Sequence, residues 1–235
     1  MKKLDGIVCD GCGKVIYPTP KLTSDKHYCS SCALNMSGYV DNFDLINNTF
    51  INFGLGGSYV YPVQIISRTK DGGNGKTIKS FIVPNKQLED YRLEIIDMCT
   101  KFNARAYIQL NPCKPSKIQW EILKTLINYL ESGCPKICGL VSSACSTRYE
   151  KHYWIIDIDE KNWSLVQQIH YLITQCESEY HNDIITAIPT VSGWHFVVSP
   201  FNLTKFYQLL EIEHLDKYEV KRQAMTLLYC DIRSI

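Results

Sequence analysis

The order of apolar and polar positions along this 235-residue chain changes between the two-residue period of a strand and the longer period of a helix. Around the Gly-rich turn at 71–75, two alternating segments predict a β-hairpin over residues 59–83. Further strands are predicted over residues 105–111, 153–159, 184–191, 194–199 and 225–231. Helices are predicted over residues 85–102, 117–131, 162–176 and 204–210. This order predicts an α+β fold with helices mainly on one face of the sheet.

An N-terminal module is indicated by two Cys-x2-Cys pairs separated by sixteen residues. The four cysteines are Cys9, Cys12, Cys29 and Cys32. Their spacing is typical of a structural zinc site, in which each pair directs two thiolates at one tetrahedral centre. We therefore expect a small zinc ribbon over residues 1–40 and a core over residues 41–235. The polar, Asn- and Gly-rich residues 36–57 are interpreted as the connection between them.

A second group of cysteines follows the helix predicted at 117–131. Ile137, Leu140 and Val141 indicate a buried strand there. The gaps between the neighbouring cysteines and a histidine are compatible with metal ligands, but we interpret the cysteines as core residues. These residues are Cys134, Cys138, Cys145 and His152.

Composition narrows the class of protein. A hydrophobic content of 45% and a charged content of 21% are typical of a globular protein. No run approaches the roughly 18 apolar residues that a membrane span needs, and residues 1–9 contain no apolar block typical of a signal peptide. We expect no membrane partner and a location in the cytoplasm of a bacterial, archaeal or virus-infected cell. The net charge of +1 excludes a uniformly basic nucleic-acid coat.

The first candidate for chemistry is the pair Asp157 and Asp159 at the end of an apolar segment. Because side chains alternate along a strand, both carboxylates are expected on one face, opposite Ile156 and Ile158. Like charges this close repel each other, and a divalent cation would relieve the repulsion. The alternative is that Asp159 only begins a turn or caps the next helix.

The second candidate is a basic strand. Arg105, Tyr107 and Gln109 share one face of the strand predicted at 105–111, so the guanidinium meets either an anion or an acidic side chain. Residues 101–124 carry mainly basic charges and residues 157–183 mainly acidic ones. The core is therefore expected to have a basic half and an acidic half.

Three short motifs in residues 104–231 resemble those of archaeo-eukaryotic primases and primase-polymerases. They are the apolar run ending in Asp157 and Asp159, the segment Ser192-Gly-Trp-His195 that opens a strand, and the apolar run ending in Asp231. A zinc module is also common in primases. The resemblance implies an RRM-like mixed or antiparallel sheet.

The resemblance also implies a metal centre. Asp157 and Asp159 would bind Mg²⁺ or Mn²⁺, and Asp231 would be the third catalytic carboxylate. Nucleotidyl transfer uses hard oxygen ligands of this kind to hold metal ions against the attacking and leaving oxygens.

A nucleotide site is implied beside the metals. Ser192 and His195 would contact the triphosphate of the incoming nucleotide. Arg105 or Lys117 would neutralise phosphate charge as it spreads in the transition state.

Two functions of different classes follow. The first is a metal-dependent nucleotidyltransferase of primase or primase-polymerase type, which uses nucleotides and a single-stranded DNA or RNA template, with or without a replication partner subunit. The second is a non-catalytic zinc-ribbon adaptor that binds nucleic acid or protein and has a primase-like core. They differ in the expected geometry. In the enzyme the carboxylates of Asp157 and Asp159 lie on one face, close enough for a metal ion to bridge them and near His195, whereas in the adaptor His195 points into the core away from them.

Overall fold

A computed structural model describes residues 7–8, 15–16, 38–52, 58–132, 140–147, 150, 153–159, 163–176, 184–215, 218–223 and 225–231. In chain order the strands are β1 (Ile7–Val8), β2 (Val15–Ile16), β3 (Tyr39–Asp41), β4 (Val60–Ile66), β5 (Thr77–Pro84), β6 (Arg105–Gln109), β7 (Trp154–Ile158), β8 (Ile184–Pro189), β9 (Trp194–Val198), β10 (Glu219–Lys221) and β11 (Met225–Asp231). The helices are α1 (Phe43–Ile46), α2 (Arg92–Phe102), α3 (Pro115–Ser132), α4 (Leu140–Thr147), α5 (Trp163–Thr174) and α6 (Leu203–Ile212). The chain is therefore α+β, as the order of periods predicts.

The described strands all pair antiparallel. A five-stranded sheet has the order β3-β11-β6-β4-β5, and a four-stranded sheet has the order β10-β7-β9-β8. β1 and β2 form a separate two-stranded hairpin. The sequence pattern predicts one main sheet, whereas the structure has two, because β7 pairs with the later strands β9 and β10 and not with β6.

One hydrophobic core joins the two sheets. Val63 of β4 and Ile108 of β6 cluster with Ile155 of β7 and Val197 of β9, and Ile95 of α2 belongs to the same cluster. All five side chains are fully buried. Because this core includes residues of both sheets, its packing sets how the sheets meet.

A second core covers the opposite face of the four-stranded sheet. Ile156 and Ile158 of β7 pack there with Val166 of α5 and Phe206 of α6. Alternation along β7 thus sends successive isoleucines into different cores, while Asp157 shares the face of Ile155.

Two buried asparagines connect the sheets through their amides. The Asn42 Nδ2 donates to the carbonyls of Pro189 at 3.0 Å and Leu227 at 2.9 Å. The Asn111 Nδ2 donates to the Tyr153 carbonyl at 2.8 Å, and its Oδ1 accepts from the Tyr153 amide at 2.8 Å. These bonds fix β8 against β11 and the start of β7 against the end of β6.

The described part of the segment predicted to be a polar connection, residues 38–52, contributes to the core. Residues 39–52 form β3, α1 and a π-helical turn, Asn47–Ile51, and bury Phe43, Ile46 and Phe50. The prediction was wrong because it followed the frequent asparagines and glycines, although the apolar residues Phe43, Ile46 and Phe50 recur between them at helical spacing. β3 also crosses the predicted domain boundary at residue 40, since it pairs with β11.

The strand predicted around residues 137–141 was also wrong at its described end. Leu140 begins helix α4, which shows that a short apolar run does not distinguish a strand from a buried helix. Cys145 on this helix is buried in a small cluster with Cys113, as expected of a core cysteine. Cys134, Cys138 and His152 lie outside the described residues.

Several local predictions are confirmed. The hairpin predicted at 59–83 is formed by β4 and β5, and the helix predicted to end at Phe102 does so, although it begins at Arg92 after a 3₁₀ turn, Glu89–Tyr91.

Among the described residues, no helix combines the length and the apolar character needed to cross a bilayer.

Candidate active site

The centre of the site is a pair of side chains on adjacent strands, Asp157 on β7 and His195 on β9. The two residues are direct partners in the antiparallel register, so their side chains lie on the same face. The His195 Nε2 lies 3.3 Å from the Asp157 Oδ1. The alternation of each strand therefore brings together the histidine and the first aspartate of the motifs.

The His195 ring has a partner at each nitrogen. Its Nδ1 lies 2.9 Å from the Thr226 Oγ1 on β11. A carboxylate can only accept a hydrogen bond, so Nε2 donates to Asp157; in the neutral ring, Nδ1 then accepts from the Thr226 hydroxyl. The imidazole is thus fixed between the two sheets and orients the Asp157 carboxylate.

Asp157 is also paired with a cation from the neighbouring strand. The Lys221 ammonium on β10 donates to the second carboxylate oxygen, Oδ2. Burial opposes ionisation of Asp157, but the hydrogen bonds and charges of His195 and Lys221 outweigh it and hold the pKa of Asp157 well below its ordinary value of 3.8. Asp157 is therefore an ionised carboxylate in a half-buried place.

These residues line a cleft of about 410 Å³ between the two sheets. Asp159, which follows β7, is exposed at its edge. Ser192 lies in the β8–β9 turn, where the Gly193 amide donates to the Thr190 hydroxyl at 3.0 Å. The full lining is Ile66, Arg68, Lys70, Arg105, Tyr107, Asp157, Asp159, Thr190, Val191, Ser192, His195, Lys221, Met225 and Leu227.

The opposite wall of the cleft is basic. Arg105 lies there, but its guanidinium forms a two-pronged pair with Asp71: Nε to Oδ2 at 2.7 Å and Nη2 to Oδ1 at 2.5 Å. The Arg68 Nη1 donates to the Tyr107 hydroxyl at 3.1 Å. Of the two sequence-based alternatives for Arg105, an anion partner or an acidic side chain, the structure shows the acidic side chain.

Two predicted site residues are not brought to the cleft. Asp231 is buried at the end of β11 and pairs in register with Tyr39. Leu227 lines the cleft, but the β-bulge that follows it shifts the register, so Asp231 lies on the opposite face of the sheet. Lys117 is half-exposed on α3, where its ammonium lies 2.9 Å from Glu150.

Comparison with protein-family models, with curated proteins and with solved structures finds no match. The chemistry of the cleft is therefore inferred from its own side chains. Asp157, Asp159, Ser192, His195 and Arg105 meet there, while Asp231 and Lys117 do not.

Metal ligands were predicted at two places. Cys9, Cys12, Cys29 and Cys32 lie outside the described residues. Within the part of the chain that is described, no group of three His, Cys, Asp or Glu side chains is arranged to hold a metal ion. The cleft does offer two carboxylates, Asp157 and Asp159, as oxygen donors.

The residues of the site that were not identified from the sequence include Arg68, Lys70, Lys221 and Thr226. Lys221 lies on β10, whose three residues are too few to show a period, and Thr226 lies on a predicted strand whose alternation gives the face but not the partner. Arg68 lies at the end of the strand predicted before the Gly-rich turn and Lys70 directly follows that strand, and two cations beside such a turn are the signal that could have indicated an anion site.

Proposed function

We propose that this chain is a metal-dependent nucleotidyltransferase of primase or primase-polymerase type that acts on a single-stranded DNA or RNA template. The observation that supports the proposal is the placement of Asp157, Asp159 and His195 in one cleft that has a basic opposite wall. Its volume of about 410 Å³ lies within the range of about 300–1,000 Å³ common for small-molecule sites. An acidic side for cations and a basic side for phosphates suit a nucleoside triphosphate.

The carboxylates of Asp157 and Asp159 would hold Mg²⁺ or Mn²⁺. When bound, such an ion neutralises phosphate charge and polarises the phosphoryl group under attack. The donor set fits this ion, because Mg²⁺ commonly takes one or two carboxylates and completes its octahedron with water and phosphate oxygens. His195 orients the Asp157 carboxylate, and Lys221 balances its charge.

The proposal extends to a zinc ribbon over residues 1–40 that helps to hold the template. The Cys-x2-Cys spacing supports it, and strands β1 and β2 pair on either side of residues 9–14, which contain the first cysteine pair. We place the protein in the cytoplasm, with a replication partner subunit as a further component. The described cysteines, Cys99, Cys113, Cys145, Cys176 and Cys230, are free thiols, as is usual in a reducing compartment.

The test is strand synthesis. The wild type, labelled ribo- or deoxyribonucleotides, Mn²⁺ and a single-stranded template are expected to give product, and the Asp157→Asn, Asp159→Asn double variant at least about a hundredfold less. Asp90→Asn, an exposed aspartate outside the cleft, is the matched control and keeps wild-type activity. Circular dichroism checks that each variant is folded. Wild-type synthesis by the double variant refutes the mechanism.

A second candidate function is a nucleic-acid or protein adaptor without catalysis. Two observations favour it: Lys221 and His195 already engage both oxygens of Asp157, and Asp231 lies away from the cleft. A chain that binds single-stranded template but gives no product with any nucleotide, under the conditions above, would be this adaptor.

A further inference from the structure

The connection between β4 and β5 presents cations to the cleft. Arg68 and Lys70 line it from this loop, while the other basic side chains of the lining are matched by acids. Arg105 is paired with Asp71, and Lys221 with Asp157. Among the described residues, no carboxylate lies within ion-pair distance of Arg68 or Lys70. The wall therefore has positive charge that no described acidic side chain neutralises.

The loop is held in a defined conformation by its own backbone. The Arg68 carbonyl accepts from the Asp71 amide at 3.1 Å and from the Gly73 amide at 2.9 Å. A Cβ atom at Gly73 would lie 2.0 Å from the Ser67 hydroxyl oxygen and 2.9 Å from the Arg68 carbonyl oxygen, so this close turn requires glycine. Gly72 has a φ of 79°, which again favours glycine.

The loop is also fastened to the sheet below it. The Asp71 side chain is only 3% exposed, and Arg105 of β6 binds both of its oxygens. The Tyr107 hydroxyl, two residues further along β6, accepts from the Arg68 guanidinium at 3.1 Å. One strand therefore anchors the turn and orients its cationic side chain.

We propose that the β4–β5 loop is the polyphosphate-binding element of the cleft, in which Arg68 and Lys70 bind the triphosphate of a nucleotide and Arg105 positions the loop through Asp71. A guanidinium presents parallel N–H donors that match phosphate oxygens, and an ammonium adds a compact charge. This inference rests on the proposed function for the nucleotide, but contact with triphosphate does not depend on turnover. This role of Arg105 differs from the one that the motif resemblance implies, since here Arg105 positions the phosphate-binding side chains of Arg68 and Lys70 and does not itself bind phosphate.

The experiment measures binding without catalysis. The full-length protein with Mn²⁺ is titrated against a fluorescent nucleoside triphosphate that cannot be cleaved between its α and β phosphates, and inorganic triphosphate is the competitor. The Arg68→Ala, Lys70→Ala double variant is expected to bind at least about tenfold more weakly. Lys76→Ala removes a cation from the same connection but not from the cleft lining, and is expected to bind within about twofold of wild type.

The outcomes separate the loop from the enzyme. If the double variant binds the probe more weakly and the wild type gives no strand synthesis, the triphosphate-binding role of the loop is supported and the proposed polymerase activity is refuted. If the wild type synthesises product and the double variant binds the probe with unchanged affinity, only the triphosphate-binding role of the loop is overturned. A wild type that does not bind the probe, or does not release it to inorganic triphosphate, also overturns the inference. Should the double variant not fold, Lys70→Ala, at an exposed position, carries the same test with an expected weakening of about threefold or more.

Discussion

Asp71→Asn is the substitution that best tests how the basic wall is built. It keeps the shape of the side chain but removes the charge that faces Arg105. The Arg105 and Asp71 side chains are 10% and 3% exposed, so water screens their interaction little. Removing one partner of a buried ion pair costs about 3–5 kcal/mol because the other charge stays buried without compensation. The asparagine retains one acceptor, so we expect the lower end of that range.

The loss is large on the scale of the whole protein, since domains are stable by only about 5–15 kcal/mol. At a urea dependence of about 2 kcal/mol per molar, a loss of about 3 kcal/mol moves the unfolding midpoint down by about 1.5 M. The matched control is Glu94→Gln, the same carboxylate-to-amide change in the exposed pair with Lys79. That change is expected to cost under about 1 kcal/mol.

Urea unfolding followed by tryptophan fluorescence measures both variants, and triphosphate binding gives a second result. If Arg105 anchors the loop, Asp71→Asn weakens triphosphate binding as well as stability. If Arg105 is itself a phosphate ligand, freeing it from Asp71 strengthens binding instead. A midpoint shift no larger than that of Glu94→Gln, or tighter binding of triphosphate, refutes the anchoring role.

Three further predictions follow from the described contacts and the cysteine spacing. The pKa of Asp157 is lowered on folding, so the contribution of its ionised carboxylate to stability is present above about pH 4 and is lost as pH falls through the folded pKa. The difference in urea midpoint between wild type and Asp157→Asn should therefore narrow from pH 7 to pH 3. A constant difference would contradict this. Asn111→Ala leaves both backbone groups of Tyr153 without their side-chain partner and should lower stability by about 2–4 kcal/mol in thermal unfolding, whereas Asn74→Ala in the exposed turn should have little effect. Elemental analysis of freshly purified protein should find about one zinc per chain, and a strong chelator should release it before the core unfolds; protein without zinc would disprove the ribbon.

Sequence reasoning succeeded where structure is set by neighbours along the chain. The Gly-rich turn and alternating flanks predict the β4–β5 hairpin, and period-two alternation puts Asp157 and His195 on matching faces before any pairing is known. Both features follow from the geometry of a strand and from turn residues, which act over a few positions.

Sequence reasoning failed where the structure depends on contacts between segments that are distant along the chain. Strand β10 has three residues, too few to give a period, yet it supplies Lys221 to Asp157. A single-residue bulge in β11 reverses the face of Asp231, and no pattern in the apolar run before it shows where the bulge falls. The partner of Arg105 lies in a turn 34 positions away, so the sequence could not distinguish the two alternatives for it.

The balance of charge in the cleft is what separates the two candidate functions. In an adaptor the ion pair of Lys221 with Asp157 has only a structural role, and replacing both residues by a matched uncharged pair leaves nucleic-acid binding unchanged. In the enzyme Asp157 must also serve a cation, so the same replacement removes synthesis even where the fold is retained. The two cations of the β4–β5 loop sharpen this distinction, because Arg68 and Lys70 line the cleft and no described carboxylate lies within ion-pair distance of either. Under the proposed function, a triphosphate would bring enough negative charge to engage both this wall and a metal ion that Asp157 and Asp159 would hold.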